Sequence, residues 1–121
     1  MNKYTRLFID ETRQYLEVIV RSLEVDVSAG DEFADSSRLA HSIKGMALFE
    51  DQASIADLAY ALERGLAHVA EDGSEANGLR ERLAEGAAAL RTMIDEVDLR
   101  GVPGDEGVDL VERIVGCIDT P

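Results

Sequence analysis

Apolar residues recur every three or four positions along most of the sequence, with polar residues between them. This spacing places apolar side chains on one face of an α-helix, and the alternation typical of β-strands is absent. Proline occurs only at positions 103 and 121, so nothing breaks a helix in the first hundred residues. The pattern predicts five amphipathic helices: from Tyr4 to about Val25, from about Glu32 to Glu50, from Ser54 to about Ala70, from Ser74 to a stop at Gly101, and from about Asp105 to Ile118.

The apolar stripes of the four longer helices must be buried against one another, and short turns join these helices. We therefore predict an all-α fold, an antiparallel up-and-down four-helix bundle with a short fifth C-terminal helix. Residues 1–100 would form the bundle. Residues 101–121 would form a linker and a short helix that packs on the bundle or leaves it.

Single residues predict local details of this bundle. The turn Ser28–Asp31 separates the first two helices, and the expected N-caps of the next three helices are Asp31 or Asp35, Ser54 with Asp57, and Ser74. The inward stripe of the fifth helix is predicted to be Val108, Val111, Val115 and Ile118. Met46 and Phe49 are expected in the core or at the bundle end, and Cys117 is expected to pack the fifth helix.

Composition narrows the range of partners and locations. Twelve Lys and Arg against twenty-five Asp and Glu give a net charge of −13, which disfavours binding to nucleic acid or an anionic membrane. The single cysteine excludes an internal disulfide, and no apolar run is long enough for a membrane span or resembles a leader peptide. We therefore expect a folded domain in the cytoplasm.

Motifs of a complete enzyme are missing from the sequence. A carboxylate-bridged metal pair in a bundle requires Glu-x-x-His, whereas the residues three before His41 and His68 are Arg38 and Gly65. There is no phosphate-binding glycine loop, no serine elbow and no recognisable Cys–His pair. We therefore predict no metal site, no bound cofactor and no complete active site, and regard His68 as an ordinary surface residue.

One histidine is placed where it can act. In helical projection His41 lies about 200° from both Leu39 and Ile43, so it points away from the predicted core. Lys44 shares its face one turn later, and Gly45 removes a side chain that would stand beside the ring. Because glycine inside a helix costs about 1 kcal/mol relative to alanine, access to His41 is a reason for its presence.

The segment Leu39-Ala40-His41-Ser42-Ile43-Lys44-Gly45 resembles the His-x-x-Lys-Gly signature of histidine phosphotransfer (HPt) domains. The resemblance is closest to the N-terminal phosphoacceptor domain of CheA-type chemotaxis histidine kinases. It extends over most of the chain, from Phe8-Ile9-Asp10-Glu11 in the first helix to Ala61-Leu62-Glu63 in the third and the short fifth helix.

The resemblance implies a place in two-component signalling. His41 would accept a phosphoryl group from ATP on a kinase catalytic domain and pass it to an aspartate of a response regulator receiver domain. Lys44 would be the cation beside the phosphoryl group, and Glu63 would orient the imidazole, with Gly45 and Tyr60 in supporting positions. ATP and Mg²⁺ would belong to the partner domains, and the domain itself would be monomeric.

Two positions depart from the family pattern, and two other functions stay open. Asp51 stands where the family commonly has glycine, and Tyr60 stands where the chemotaxis version often has a second histidine, although its phenol can still form a hydrogen bond. Exposed apolar residues near His41, such as Leu48, would serve recognition. The alternatives are a docking or dimerisation domain that is never phosphorylated, and a free-standing relay protein. The fifth helix and the end at Pro121 favour a kinase-derived domain over the latter.

Overall fold

The computed structural model describes residues 1–24, 30–72 and 78–119. Within these ranges the chain is helical apart from short connections. Five helices follow one another: α1 (Lys3–Glu24), α2 (Gly30–Phe49), α3 (Ala53–Asp72), α4 (Leu79–Arg100) and α5 (Val108–Asp119).

The first four helices close into a bundle around one core. α1 packs against α2 and α4, and α3 packs against the same two helices. Neighbours run antiparallel: Arg6 near the start of α1 donates to Asp98 near the end of α4 at 2.8 Å, and Thr5 donates to Glu50, just beyond α2, at 2.6 Å. The predicted all-α, up-and-down bundle with a short fifth helix is confirmed.

The core is formed by the stripes that the periodicity of α3 and α4 predicts. The spacing predicts an inward stripe of Ile55, Leu58, Ala59, Leu62, Leu66 and Val69 on α3, and of Leu79, Leu83, Ala87, Leu90, Ile94 and Val97 on α4. Every residue of both stripes is buried. The same spacing therefore predicts the buried faces of these two helices correctly.

The helix α5 packs on α3 and α4, but only in part through the predicted stripe, of which Val111 and Ile118 pack partly buried against the core. Leu110 and Ile114, which were not predicted, are the residues buried in the core, whereas Val108 is 60% exposed, so the prediction was wrong for Val108. The reason lies in the partner helices: side-chain atoms of Ile114 lie 3.3 Å and 3.0 Å from where a Cβ would stand on Gly65 and Gly86. These glycines leave a recess that a branched side chain fills. The domain division at residue 100 stays a prediction.

The helix starts differ from those predicted by cap residues. α2 begins at Gly30 and α3 at Ala53, so Asp31, Asp35 and Ser54 lie inside helices and are not N-caps. Asp31 stands in the first turn of α2, where its charge interacts favourably with the helix dipole. The turn predicted at Ser28 and the cap predicted at Ser74 lie outside the described residues.

The turn between α2 and α3 fixes how these two helices meet. The Gln52 amide donates to the Ala47 carbonyl at 2.8 Å and the Asp51 amide to the Leu48 carbonyl at 3.2 Å, the two bonds of a Schellman motif. Asp51 has φ 58°, the left-handed conformation that such a turn requires. The aspartate thus adopts the backbone conformation for which glycine is commonly selected.

Candidate functional site

The site lies on the outer face shared by α2 and α3. The side of α2 that faces the core carries Phe33, Ser36, Ala40, Ile43 and Ala47. His41 therefore projects away from the core, as its projection predicts, and its side chain is 62% exposed. The imidazole is accessible to a large reaction partner.

Glu63 of α3 contacts the imidazole across the helix pair. The His41 Nδ1 atom lies 3.0 Å from Glu63 Oε2. Because an ionised carboxylate can only accept a hydrogen bond, this contact favours the tautomer in which Nδ1 carries the proton and donates a hydrogen bond to Glu63. Nε2 then holds the lone pair and is the nucleophilic nitrogen of the neutral ring. Nothing in the described part of the chain binds Nε2.

The second oxygen of the same carboxylate faces Lys44. The Lys44 ammonium lies 3.3 Å from Glu63 Oε1, and both side chains are about three-quarters buried. Oε1 is enclosed and accepts no well-aligned hydrogen bond within the described residues, so its contact with Lys44 is an ion pair. Glu63 thus holds the imidazole with one oxygen and the ammonium with the other.

Ser37 is a site residue that sequence reasoning did not single out. Its hydroxyl donates to the main-chain carbonyl of Glu63 at 2.9 Å. This bond ties α2 to α3 at the residue whose side chain holds His41. Ser37 lies four residues before His41 and therefore one turn away on the same helix face, the signal that could have found it.

Tyr60 lies beside the site, but it contacts its neighbours in another way than predicted. The Lys44 ammonium stands 4.7 Å from the centroid of the Tyr60 ring, and the Arg64 guanidinium stands at 5.9 Å. No hydrogen bond joins the phenol to any residue in the described ranges. Its link to the site is therefore the ring face and not the hydroxyl.

Gly45 continues the site into an apolar groove. A Cβ at Gly45 would have nothing within 4 Å, so the bundle does not require a glycine there. The groove has a volume of about 270 Å³ and is lined by Tyr4, Leu7, Phe8, Gly45, Met46, Phe49 and Glu50. Phe49 is the last residue of α2 and is 78% exposed, so it lies at the bundle end but does not pack there as expected. Met46 packs partly buried against the core, as expected.

The remaining candidates are not part of this cluster. His68 follows Glu63 by five residues on α3, and the His41 ring contacts Glu63 and not His68 in the described part of the chain. Cys117 packs partly buried against the core, as predicted. In residues 1–24, 30–72 and 78–119 no group of three or more His, Cys, Asp or Glu could hold a metal ion.

None of the described helices is both long and apolar enough to cross a bilayer.

Comparison with solved structures finds the same fold. The chain is similar to the P1 domain of CheA3 from R. sphaeroides, in a crystal structure of the phosphorylated domain in complex with CheY6. The TM-score is 0.81 at 20% sequence identity, and the match covers 97% of this chain and 99% of that one. Curated protein sequences give no significant match.

The family comparison covers the bundle and the site together. The sequence profile of the Hpt domain matches residues 3–99, which include His41, Lys44, Gly45, Tyr60 and Glu63. With this match over most of its length, the chain belongs to the Hpt domain family, the histidine phosphotransfer domains.

Proposed function

We propose that this Hpt domain carries a phosphoryl group on Nε2 of His41, taking it from ATP bound to a histidine kinase catalytic domain and giving it to an aspartate of a receiver domain. The observation that carries the proposal is the exposed imidazole whose Nδ1 lies 3.0 Å from Glu63 Oε2. A ring held in this way presents one nitrogen lone pair to a partner.

The chemistry requires little from this chain. The Nε2 lone pair attacks the γ-phosphorus of ATP, the Nε2–P bond forms, and the bond between the γ-phosphorus and the bridging oxygen breaks to release ADP. Nδ1 keeps its proton, and the positive charge that develops on the ring is stabilised by Glu63. In the second step an aspartate oxygen of the receiver attacks phosphorus, and the electron pair of the Nε2–P bond returns to the ring.

Most of the catalytic groups belong to the partners. Phosphoryl transfer depends mainly on positioning and on stabilisation of charge, so ATP, Mg²⁺ and the acidic receiver pocket can act from outside. Such partners occur in the cytoplasm, which is where we place the domain. Cations close to the site suit them: Arg38 lies one turn before His41, and Arg64 follows Glu63 directly.

The groove beside Gly45 is a surface on which a partner of complementary shape could dock. It begins one turn after His41 and continues past the exposed ring of Phe49, so a receiver that reaches Nε2 would also cover it. The P1 domain of CheA3, which shares this fold, is found in complex with the response regulator CheY6. We therefore assign the groove to the receiver domain.

A labelled transfer assay tests the proposal, with the second histidine as the matched control. Wild type, His41→Gln and His68→Gln are incubated with a CheA-type kinase core that lacks its own phosphoacceptor domain and with ATP labelled at the γ-phosphate. Wild type and His68→Gln should acquire acid-labile, alkali-stable label that a receiver removes, and His41→Gln should acquire none. Label on His41→Gln would contradict the assignment.

The groove also favours a second candidate, a domain that acts by docking alone. Its side chains Tyr4, Leu7 and Phe49 are exposed by half or more, as expected of a surface that a partner covers. This function predicts that a receiver binds wild type and His41→Gln equally well while neither protein accepts label from several competent kinases.

A further inference from the structure

Tyr60 lies beside the His41 site, next to Lys44 and Glu63. It lies one helical turn before Glu63 on α3 and is 49% exposed. Its ring lies 4.7 Å from the same Lys44 nitrogen that stands 3.3 Å from Glu63 Oε1. Lys44 is therefore held between an aromatic face and a carboxylate, and both belong to α3.

The contact between Lys44 and Glu63 is important because Glu63 Oε1 is enclosed. Oε1 has almost no contact with solvent and no hydrogen-bond donor within the described residues other than the adjacent ammonium. If Lys44 swings into water, the carboxylate loses its only described counter-charge on that side. Its other oxygen, Oε2, is the atom that orients His41. A carboxylate that has lost the counter-charge at Oε1 would rotate towards another hydrogen-bond donor.

A lysine side chain is long and its ammonium is strongly hydrated, so it leaves a weak contact readily. An aromatic ring opposes this because its electron-rich face attracts the cation. Tyr60 provides such a face 4.7 Å from the Lys44 ammonium. The hydroxyl plays no part, since no described residue bonds to it.

We propose that Tyr60 is a positioning residue for phosphorylation of His41: its ring holds Lys44 against Glu63 and thereby fixes the carboxylate on Nδ1. The inference rests on the proposed function for its effect on rate, but its geometric part stands without it. It assigns the aromatic face, and not the phenol, to the position where related domains often carry histidine.

The geometric part is tested by NMR on the isolated protein, without kinase. Wild type, Tyr60→Phe and Tyr60→Leu are compared at alkaline pH, where an ordinary histidine is neutral. The Lys44 ε-methylene protons should be shifted upfield by the ring current in wild type and Tyr60→Phe and should lose that shift in Tyr60→Leu. The ¹⁵N shifts of His41 should report the Nδ1–H tautomer in the first two and a mixture of tautomers in the third.

The kinetic part uses the same variants and a double-mutant cycle. Tyr60→Leu should slow labelling of His41 by about three- to fivefold, the change expected when a surface cation–π contact is lost, and Tyr60→Phe should retain the wild-type rate. In a Lys44→Gln background, Tyr60→Leu should cause no further loss, because Tyr60 acts through Lys44.

Three results would overturn the proposal: unchanged Lys44 shifts in Tyr60→Leu, equal loss in Tyr60→Phe, or rate effects of Tyr60→Leu and Lys44→Gln that multiply. Equal thermal melting of all variants excludes a loss of fold as the cause. If wild type accepts no label at all, the proposed function fails, and the NMR comparison still decides whether Tyr60 holds Lys44.

Discussion

Gly45→Ala should make the domain more stable and less active. A Cβ at this position meets nothing within 4 Å, so the new methyl group causes no clash. Alanine is favoured over glycine in a helix interior by about 1 kcal/mol. For a domain of this size, that gain corresponds to a rise in melting temperature of about 4 °C. The methyl group would stand one turn from His41 at the edge of the groove, where a partner must approach, so phosphotransfer should slow.

Two assays with one matched control separate the effects. Thermal unfolding followed by circular dichroism measures stability, and the labelled transfer assay measures the rates of loading and of transfer to a receiver. Gly116→Ala on α5 is the control, since a Cβ there also has nothing within 4 Å but lies outside the His41 site. It should not lower the transfer rate. A less stable Gly45→Ala, or one that transfers at the wild-type rate, would refute the explanation of Gly45 as a means of access.

Gly65→Ala should have the opposite effect on stability, because its Cβ would stand 2.5 Å from a leucine of α4; we expect a loss of about 1–3 kcal/mol in urea denaturation, and a gain would contradict the close packing. Asp51→Gly should raise the unfolding free energy by about 1 kcal/mol, since glycine adopts the left-handed conformation without strain; an unchanged urea midpoint would argue against strain there. Hydrogen bonds from Arg6 and then Arg13 lower the pKa of Asp98. The stability that this carboxylate contributes should be complete above the ordinary aspartate pKa, about 4, and be lost as the pH falls through the lowered value. Acid titration of unfolding for wild type and Asp98→Asn should therefore converge at low pH, and curves that stay parallel would contradict the assignment.

The sequence predicts the bundle well because burial in α3 and α4 follows a simple period. Leucines at three- and four-residue spacing lie on one face of a helix, and that face is buried in the core. His41, Lys44 and Gly45 are equally accessible to this reasoning, since they lie within one turn of each other on one helix. Their positions relative to one another are thus largely determined by the geometry of that helix.

Contacts between helices are harder to predict, because they depend on where the helices cross. Glu63 is separated from His41 by 22 positions, and only the family resemblance singled it out. The Ser37 bond to the Glu63 carbonyl and the ring contact of Tyr60 depend on the register of α3 against α2. On α5, apolar residues are present on more than one side, so the recess in the partner helices decides which side is buried, and Val108 becomes exposed.

Close approach of α2 to α3 explains how a short acidic side chain reaches across to the histidine. The buried faces of these helices include alanines, at Ala40 and Ala47 of α2 and Ala56 and Ala59 of α3. Small side chains let helix axes approach more closely, and α2 packs more extensively against α3 than against α1. We attribute to these alanines the close approach of α2 and α3 that brings Glu63 within hydrogen-bonding distance of His41.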